Sequence, residues 1–425
     1  MNTAASARTA PEAVGTVGLV GLRRVAPIAV AAVLLAACSS SSATGESASA
    51  STVPEEYRDS ITRTLDRLAS ERRPVEPSAI PPRHLDEDTF PVSLVDRDSI
   101  VYGGAPPDGI SPIDEPTYEP VGTVDWLDAD EAVFVVELDG VTRIYPVQIM
   151  IWHEIVNDVI GDRPVNVTYC PLCNSGLAFD RRVGDDVLDF GTSGALHQAN
   201  LVMYDRQTES LWTQFDGRAV VGTRVGDVLD TIPMTMVAWD DARGRYPDAT
   251  VVARSVTDPK PYGRNPYNAY DQRTSAIPGF YRGEPDGSLA PYERVVGVER
   301  AGDVVAVAHR GLVGEGTATI TVGGSHVTVW HRVGMASPLN DPDVADGAAI
   351  GSTRAYLAEV RGEPTEFRRI GEGFVDAATQ STWNFFGEAI AGPATGDRLR
   401  PVVHVDTFWF AWSTFHVDTR LVDPS

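Results

Sequence analysis

The chain has 425 residues, which is too long for one small core and about right for two domains. Its formal net charge at pH 7 is −24. This charge argues against binding nucleic acid, and against docking on anionic lipid through a basic patch, because both need clustered positive charge.

The first 37 residues (1–37) have the pattern of a bacterial export signal. Arg23 and Arg24 precede thirteen apolar or small residues, a run with the length of a signal-peptide core and too short to span a bilayer. The run ends in Leu-Ala-Ala followed by Cys38, which resembles the lipobox of a lipoprotein. We therefore expect cleavage before Cys38 and lipidation of this residue. An ordinary secretory signal with a chance cysteine is the alternative.

A lipidated Cys38 would hold the mature protein at the cell membrane, on its extracytoplasmic side. Residues 38–52 are rich in Ser and Ala, which is typical of a flexible tether. Residues 53–120 predict one short helix, at 54–71, followed by a proline-rich linker. No later segment has 18 uninterrupted apolar residues, so we expect no transmembrane helix in the mature protein.

Residues 121–245 are predicted to form a first β-rich domain. Residues 132–138 and 141–147 flank Asp139-Gly140, which is a strong hairpin signal. Apolar residues at helical spacings predict a helix over residues 148–160, and residues 165–169 predict a strand that leads into a cysteine pair. The predicted fold class is mainly β, an α+β arrangement with few helices.

An internal repeat predicts a second, related domain. The pattern Asp-x-x-Thr-x-Ser-x-Trp that begins at Asp205 recurs at Asp376, and each copy continues into the same series of Gly, Ala, Asp and Leu residues. We expect an internal duplication in which a cysteine-free β-rich domain, 291–425, follows a Tyr/Pro-rich connector, 246–290. The favoured role of the repeated residues is structural, since Asp, Thr and Ser shape a tight turn while Trp anchors the hairpin.

Two aromatic clusters lie outside the repeat. Tyr262, Tyr267 and Tyr270 belong to the connector, where a linker lying across the domain interface is favoured over the lining of a cleft. Trp409 and its aromatic neighbours near the end of the chain alternate with small residues, which predicts a buried strand.

Three runs of sequence resemble a known family. They are Trp-His-Glu-Ile-Val-Asn-Asp at 152–158, Val-Thr-Tyr-Cys-Pro-Leu-Cys at 167–173 and Met-Tyr-Asp-Arg-Gln-Thr-Glu-Ser-Leu-Trp at 203–212. They resemble the bacterial and archaeal family of unknown function 3179, and the resemblance spans residues 121–419. It implies no established activity. Relatives that carry selenocysteine within the cysteine motif imply a redox or soft-metal role.

Cys170 and Cys173 are the chain's remaining cysteines, and their spacing lets both sulfurs reach one metal ion or each other. A soft or borderline metal (zinc, copper or iron) would need further ligands, of which His153 is the best placed in the sequence. The alternative for His153 is a helix residue hydrogen-bonded to Asn157 or to backbone. The cofactor stays unknown at this level.

The same sulfurs are candidates for thiol redox chemistry, and we expect them at a partly exposed turn with Glu154, Asp205 or His153 near them. Arg206, next to Asp205, is a supporting candidate. Two other classes of function remain open. One is a non-catalytic scaffold lipoprotein in which the pair is a structural disulfide, and the other is a hydrolase that uses His153, Glu154 or Asp205.

Overall fold

The computed structural model describes residues 92–103, 105–274, 280–282 and 284–424. The predicted signal, tether and first helix lie outside the described residues. Within the described ranges the protein is mainly β, as predicted, and no helix there is long and apolar enough to cross a membrane. The described α-helices have seven residues each: α1 (Val147–His153), α2 (Trp239–Arg245), α3 (His309–Glu315) and α4 (Trp409–Phe415).

The strands fall into two series, one in a first half (residues 92–253) and one in a second half (residues 291–424). The first half contains β1 (Ile100–Tyr102), β2 (Tyr118–Pro120), β3 (Ala132–Leu138), β4 (Val141–Pro146), β5 (Ile155–Ile160), β6 (Arg163–Cys170), β7 (Ser175–Asp180), β8 (Arg182–Val183), β9 (Asp186–Val187), β10 (Phe190–His197), β11 (Asn200–Asp205), β12 (Leu211–Thr213), β13 (Arg218–Val221), β14 (Thr231–Ile232), β15 (Met234–Ala238) and β16 (Thr250–Val252). The second half contains β17 (Arg294–Arg300), β18 (Asp303–Ala308), β19 (Thr317–Val322), β20 (Ser325–Arg332), β21 (Ser352–Leu357), β22 (Glu359–Val360), β23 (Glu363–Pro364), β24 (Phe367–Ile370), β25 (Gly373–Asp376), β26 (Thr382–Trp383), β27 (Ala389–Ala391), β28 (Val405–Phe408) and β29 (Arg420–Val422).

The two halves pair their strands in the same order. In the first half, β15-β3-β4-β16 are neighbours in one sheet, and β28-β17-β18-β29 are neighbours in the second half. The last pair of each series, β4–β16 and β18–β29, is parallel, whereas the other pairs are antiparallel. The hairpins β5-β6-β7 and β19-β20-β21 correspond in the same way, as do β10-β11-β12-β13 and β24-β25-β26-β27.

The repeated sequence motif forms the same turn in both halves. The indole N–H of Trp212 donates to Asp205 at 2.9 Å, and the indole N–H of Trp383 donates to Asp376 at 2.9 Å. These matched contacts support the structural interpretation of the motif. An origin of the two halves by duplication stays a prediction.

The hairpin at Asp139-Gly140 is confirmed, with φ angles of 51° and 81° at these two residues. Left-handed angles at both central positions are those of a type I′ turn, which glycine and aspartate favour. The strand predicted over residues 165–169 is also confirmed, as the greater part of β6.

The helix predicted over residues 148–160 is wrong in its second part. Helix α1 ends at His153, and β5 follows after a single residue in the left-handed conformation. Strand β5 is buried at five of its six positions, including Asn157 and Asp158, so the spacing of its apolar residues does not distinguish a strand from a buried helix.

The strand predicted around Trp409 is likewise a helix, α4, although its burial is as expected. Helix α4 shares the largest hydrophobic core with residues of the first half. The rings of Phe215 and Phe415 stack with their centroids 4.8 Å apart, and Phe215 also contacts Trp412. The core of the first half is therefore completed by a helix of the second half.

Candidate functional site

The cysteine pair lies on the turn between β6 and β7. Cys170 ends β6 and pairs with Ser175, which begins β7. The Cys173 amide donates to the Cys170 carbonyl at 3.2 Å, and the Asn174 amide donates to the Pro171 carbonyl at 3.2 Å. These bonds tighten the turn and bring the two thiol groups close enough to hydrogen-bond. The two sulfurs are not joined by a disulfide.

The turn is buried, which corrects the expectation of a partly exposed one. Cys170 is 1% exposed and Cys173 is 0% exposed. The second half covers the turn, since the Thr407 hydroxyl donates to the Cys173 carbonyl at 2.8 Å and the Phe408 amide donates to the same oxygen at 3.1 Å. The sulfurs therefore lie inside the molecule, beneath strand β28.

The pKa values of the two thiols are shifted in opposite directions. Burial raises the pKa of Cys170, but hydrogen bonds from the Cys173 thiol and from backbone amides, including that of Leu201 at 3.4 Å, outweigh burial and lower this pKa below its usual value. Burial and donation to Cys170 raise the pKa of Cys173 well above its usual value. The side-chain amide of Asn200 lies 3.6 Å from the Cys173 sulfur. Cys170 is thus the more acidic of the two thiols.

Glu154 follows the last residue of α1, and its backbone bonds to Tyr169, the residue before Cys170. Its amide donates to the Met150 carbonyl at 2.7 Å, and its carbonyl accepts the Tyr169 amide at 2.8 Å. Glu154 is 6% exposed. Burial, together with the negative charge of Cys170, raises the pKa of its carboxyl group to about 8, against the smaller opposing effect of a hydrogen bond from Tyr267. The carboxyl group therefore carries a proton at neutral pH.

Aromatic side chains border Glu154 and the cysteines. The Tyr267 hydroxyl donates to a carboxyl oxygen of Glu154 at 3.3 Å. The ring of Tyr270 lies 6.2 Å from that of Tyr267 and 5.4 Å from that of Tyr292, which in turn lies 5.3 Å from Phe408. The tyrosines of the connector thus contribute directly to the site, and the clustering of Tyr262, Tyr267 and Tyr270 in the sequence was the signal for this.

His153 has hydrogen-bond partners away from the sulfurs. Its Nδ1 lies 2.7 Å from the Ser111 carbonyl, and its Nε2 lies 2.7 Å from the Tyr262 hydroxyl. A carbonyl only accepts, so Nδ1 carries the proton and Nε2 accepts from Tyr262. Burial lowers the pKa of His153, which favours the neutral ring. With both nitrogens engaged, His153 offers no free ligand atom to a metal at the cysteines.

A preformed metal site is not found at the cysteines. Within the part of the chain that the structure describes, the only three His, Cys, Asp or Glu ligand atoms that lie within 4.8 Å of one another belong to Asp341, Asp343 and Asp346. Arg264 forms an ion pair with Asp343 in that acidic cluster. The cysteine pair therefore provides two sulfur ligands without a third ligand atom grouped with them.

Asp205 lies at the opposite end of β11 from the cysteines. Asn200 and Leu201, which contact the sulfurs, begin this strand, and Asp205 ends it. A strand rises about 3.3 Å per residue, which places Asp205 roughly 15 Å from these contacts. Its carboxylate accepts hydrogen bonds from Thr208 and Trp212 in the repeated turn.

Arg206 is part of a buried ion-pair network. Its guanidinium group lies 3.1 Å from Asp108 and 2.6 Å from Asp114. Arg206 thereby fixes the segment before β2 to the sheet that contains β11.

Neither Asp205 nor Arg206 belongs to the group of residues around the cysteines and Glu154, whereas Asn200, Leu201 and Tyr267 do. Nothing in the sequence marked Asn200 or Leu201.

The second half has the same backbone frame without the thiols. The His331 amide donates to the Gly316 carbonyl at 2.9 Å, in the way that the Tyr169 amide donates to Glu154. Gly316 therefore stands at the position of Glu154, and His331 stands at the position of Tyr169. The next residue of the strand is Arg332 in the second half and Cys170 in the first.

Arg332 lines an open groove of about 520 Å³ between α2 and the second half. Its guanidinium group lies 3.0 Å from Asp241 and 3.9 Å from Glu372. The position equivalent to the buried Cys170 is thus occupied by Arg332, which forms a partly exposed ion pair.

The fold and the site together define a mainly β protein whose first half holds a buried, reduced dithiol beside a protonated carboxyl group. Residues 107–419 match the family described as "protein of unknown function (DUF3179)", and the chain belongs to this family. Comparisons with curated proteins and with solved structures found no match.

Proposed function

We propose that the first half is a thiol redox centre in which Cys170 and Cys173 cycle between a dithiol and a disulfide. The observation that supports this proposal is the difference between the two sulfurs. The pKa of Cys170 is lowered in spite of its burial, because the Cys173 thiol and the Leu201 amide stabilise its thiolate. The thiolate is the nucleophile in redox chemistry, and a purely structural pair has no need of this acidity.

The chemistry balances within the pair. When the Cys170 thiolate attacks an oxidant, two electrons leave the pair, Cys173 gives up its proton, and an S–S bond of about 2.05 Å forms. A reducing dithiol returns two electrons and the proton of Cys173 through a mixed disulfide, releases its second proton and restores the starting state. The tight turn at 170–173 favours this closure, because the two thiol groups are already in hydrogen-bond contact.

A soft-metal site receives less support from the geometry. Tetrahedral zinc needs four ligands, while the pair has no histidine or carboxylate ligand grouped with it in the described ranges. The hydrolase alternative is also weaker, since His153, Glu154 and Asp205 belong to three separate sets of contacts.

Redox titration of the purified full chain tests the proposal. We expect the reduced protein to lose two thiols and two hydrogen atoms on treatment with diamide, as measured by thiol titration and intact mass, and dithiothreitol to reverse this. Cys170→Ser and Cys173→Ser should each abolish the change, while the matched variant Cys38→Ser should retain it. Stoichiometric zinc in a protein that resists oxidation would favour the metal site instead.

We also propose that the protein is an exported lipoprotein, anchored to the cell membrane through Cys38 and facing the extracytoplasmic side. The lipobox-like sequence around Cys38 supports this. Cys38→Ala should release the protein from the membrane fraction or leave it unprocessed. Unchanged fractionation of this variant would contradict the anchor and would leave the redox proposal untouched.

A further inference from the structure

We infer that the oxidant of this centre is a small hydroperoxide and that Glu154 donates the proton needed to reduce it. The inference rests on the proposed dithiol cycle and adds a substrate class and a proton donor to it. Four observations carry it: the backbone conformation of Glu154, the composition of the equivalent frame in the second half, the burial of the sulfurs and the backbone hydrogen bond between Glu154 and Tyr169, the residue before Cys170.

Glu154 occupies a position that suits glycine. Its φ angle is 58°, in the left-handed region that side chains with a Cβ disfavour. The second half has Gly316 at the same place, with a φ angle of 77°, and the Gly316 amide bonds to Leu312 just as the Glu154 amide bonds to Met150. The turn therefore needs no glutamate, and we assign the presence of Glu154 to its carboxyl group.

Glu154 and Cys170 occur in the same half of the protein, and the second half lacks both. Where the first half has Glu154 and Cys170, the second half has Gly316 and Arg332 on the same backbone frame. The frame is thus compatible with the absence of both groups. A carboxyl group that is present in the half with the cysteine pair, and missing from the half without it, fits a shared chemical step.

Burial restricts what can reach the sulfurs. Cys170 and Cys173 are at most 1% exposed, beneath Phe408, whose amide donates to the Cys173 carbonyl. A protein disulfide would have to displace this cover to meet Cys170, whereas hydrogen peroxide has only two heavy atoms. A small oxidant is therefore the class that requires the least opening.

The chemistry of the O–O bond explains the acid. When the Cys170 thiolate attacks a hydroperoxide, the S–O bond forms, the O–O bond breaks, and hydroxide or alkoxide leaves. Glu154, which is buried and bonded through its backbone carbonyl to the residue before Cys170, donates its proton so that water or an alcohol leaves instead. Thiol–disulfide exchange releases a thiolate, a weaker base with less need of an acid at this place.

The second step closes the disulfide. Cys170 now carries sulfenic acid, and the Cys173 sulfur attacks it with loss of water to give the Cys170–Cys173 disulfide. The proton of Cys173 leaves with the hydroxide of the sulfenic acid as water, so one hydroperoxide, one thiolate, one thiol and the proton of Glu154 give one disulfide, one water and one water or alcohol. Glu154 regains its proton when the disulfide is reduced again. A dithiol reductant completes the cycle, as in the proposed function.

The test compares two oxidants on the full chain. Pre-reduced wild-type protein and Glu154→Gln are mixed with hydrogen peroxide or with diamide, and disulfide formation is followed by intact mass after rapid quenching. We expect Glu154→Gln to react about 10²- to 10⁴-fold more slowly with peroxide, the usual contribution of a general acid, and within about twofold of wild type with diamide. The exposed Glu363→Gln serves as a matched control and should change neither rate.

Two further readouts separate a proton donor from a structural residue. In Cys173→Ser, peroxide should leave a sulfenic acid on Cys170 that dimedone traps. The peroxide rate of the wild type should also fall as the pH rises through about 8, where Glu154 loses its proton, and Glu154→Gln should lack this decline.

The outcomes distinguish the two levels of the proposal. If diamide forms the disulfide but wild type and Glu154→Gln react equally fast with peroxide, the hydroperoxide inference is overturned and the dithiol cycle stands. If neither oxidant forms a disulfide in the folded protein, the dithiol cycle itself is wrong. A circular dichroism spectrum of Glu154→Gln that matches wild type assures that folding does not explain a loss of rate.

Discussion

The buried carboxyl group of Glu154 makes the stability of the fold depend on pH. Burial, with the charge of Cys170, raises its pKa to about 8, whereas glutamate in an unfolded chain has a pKa of about 4.3. The folded state therefore holds the proton more tightly. The stabilisation is fully present below about pH 4.3 and is lost as the pH rises through about 8.

Glu154→Gln should therefore gain stability relative to wild type as the pH rises. Glutamine cannot titrate, so the difference in unfolding free energy should grow in favour of the variant by about 1.4 kcal/mol per pH unit between about pH 5 and pH 8. Denaturant unfolding at several pH values measures it. The exposed Glu363→Gln should show a difference that does not change with pH, and a pH-independent difference for Glu154→Gln would contradict the assignment.

Individual residues of the site were only partly predictable from sequence. Cys170 and Cys173 stand out because Cys38 is the only other cysteine in the sequence, and Glu154 lies within another of the family motifs. Their burial was not predictable, because the Thr407 hydroxyl that covers the turn lies 234 residues further along the chain. Local sequence carries no information about such a distant contact.

At the scale of single elements, the repeated turns allow a paired prediction. Asp205→Ala and Asp376→Ala should destabilise the protein by similar amounts, roughly 2–4 kcal/mol each. Each change removes the buried acceptor of an indole N–H and of a threonine side chain. Chemical denaturation measures both effects, with the more exposed Asp227→Ala as the control that should change little. A large effect at one turn and none at the other would show that the two turns are not equivalent.

The elements that sequence patterns assigned wrongly share one physical cause. Residues 155–160 and 409–412 are buried on almost all sides. The spacing of hydrophobic residues in the sequence therefore does not distinguish a strand from a helix there. Elements with one exposed face or with a marked turn, such as the hairpin at Asp139-Gly140, were predicted correctly. Tertiary packing decides the conformation of the fully buried segments.

At the scale of the whole molecule, the halves cover each other's hairpins. Strand β15 of the first half reaches the second, since the Thr235 hydroxyl donates to the Thr353 carbonyl at 3.2 Å. Strand β28 of the second half reaches the first, where the Thr407 hydroxyl donates to Cys173 at 2.8 Å. Each half thus supplies part of the other's interior, and the burial of the cysteine turn in the first half depends on the second.

This reciprocal packing predicts that neither half folds alone. Residues 92–253, expressed without the second half, would expose the core face that α4 covers, including Phe215, and would leave the cysteine turn open to solvent. We expect each fragment alone to lack a cooperative thermal transition, and the two fragments together to recover one. Residues 92–425 in one chain are the control and should unfold cooperatively.

The reactivity of the thiols measures the loss of the second half chemically. In the first fragment Cys170 and Cys173 should react with a thiol reagent at the rate of free cysteines, because the cover supplied by Thr407 and Phe408 is missing. A first fragment that unfolds cooperatively and keeps its thiols protected would show that the site is complete without the second half.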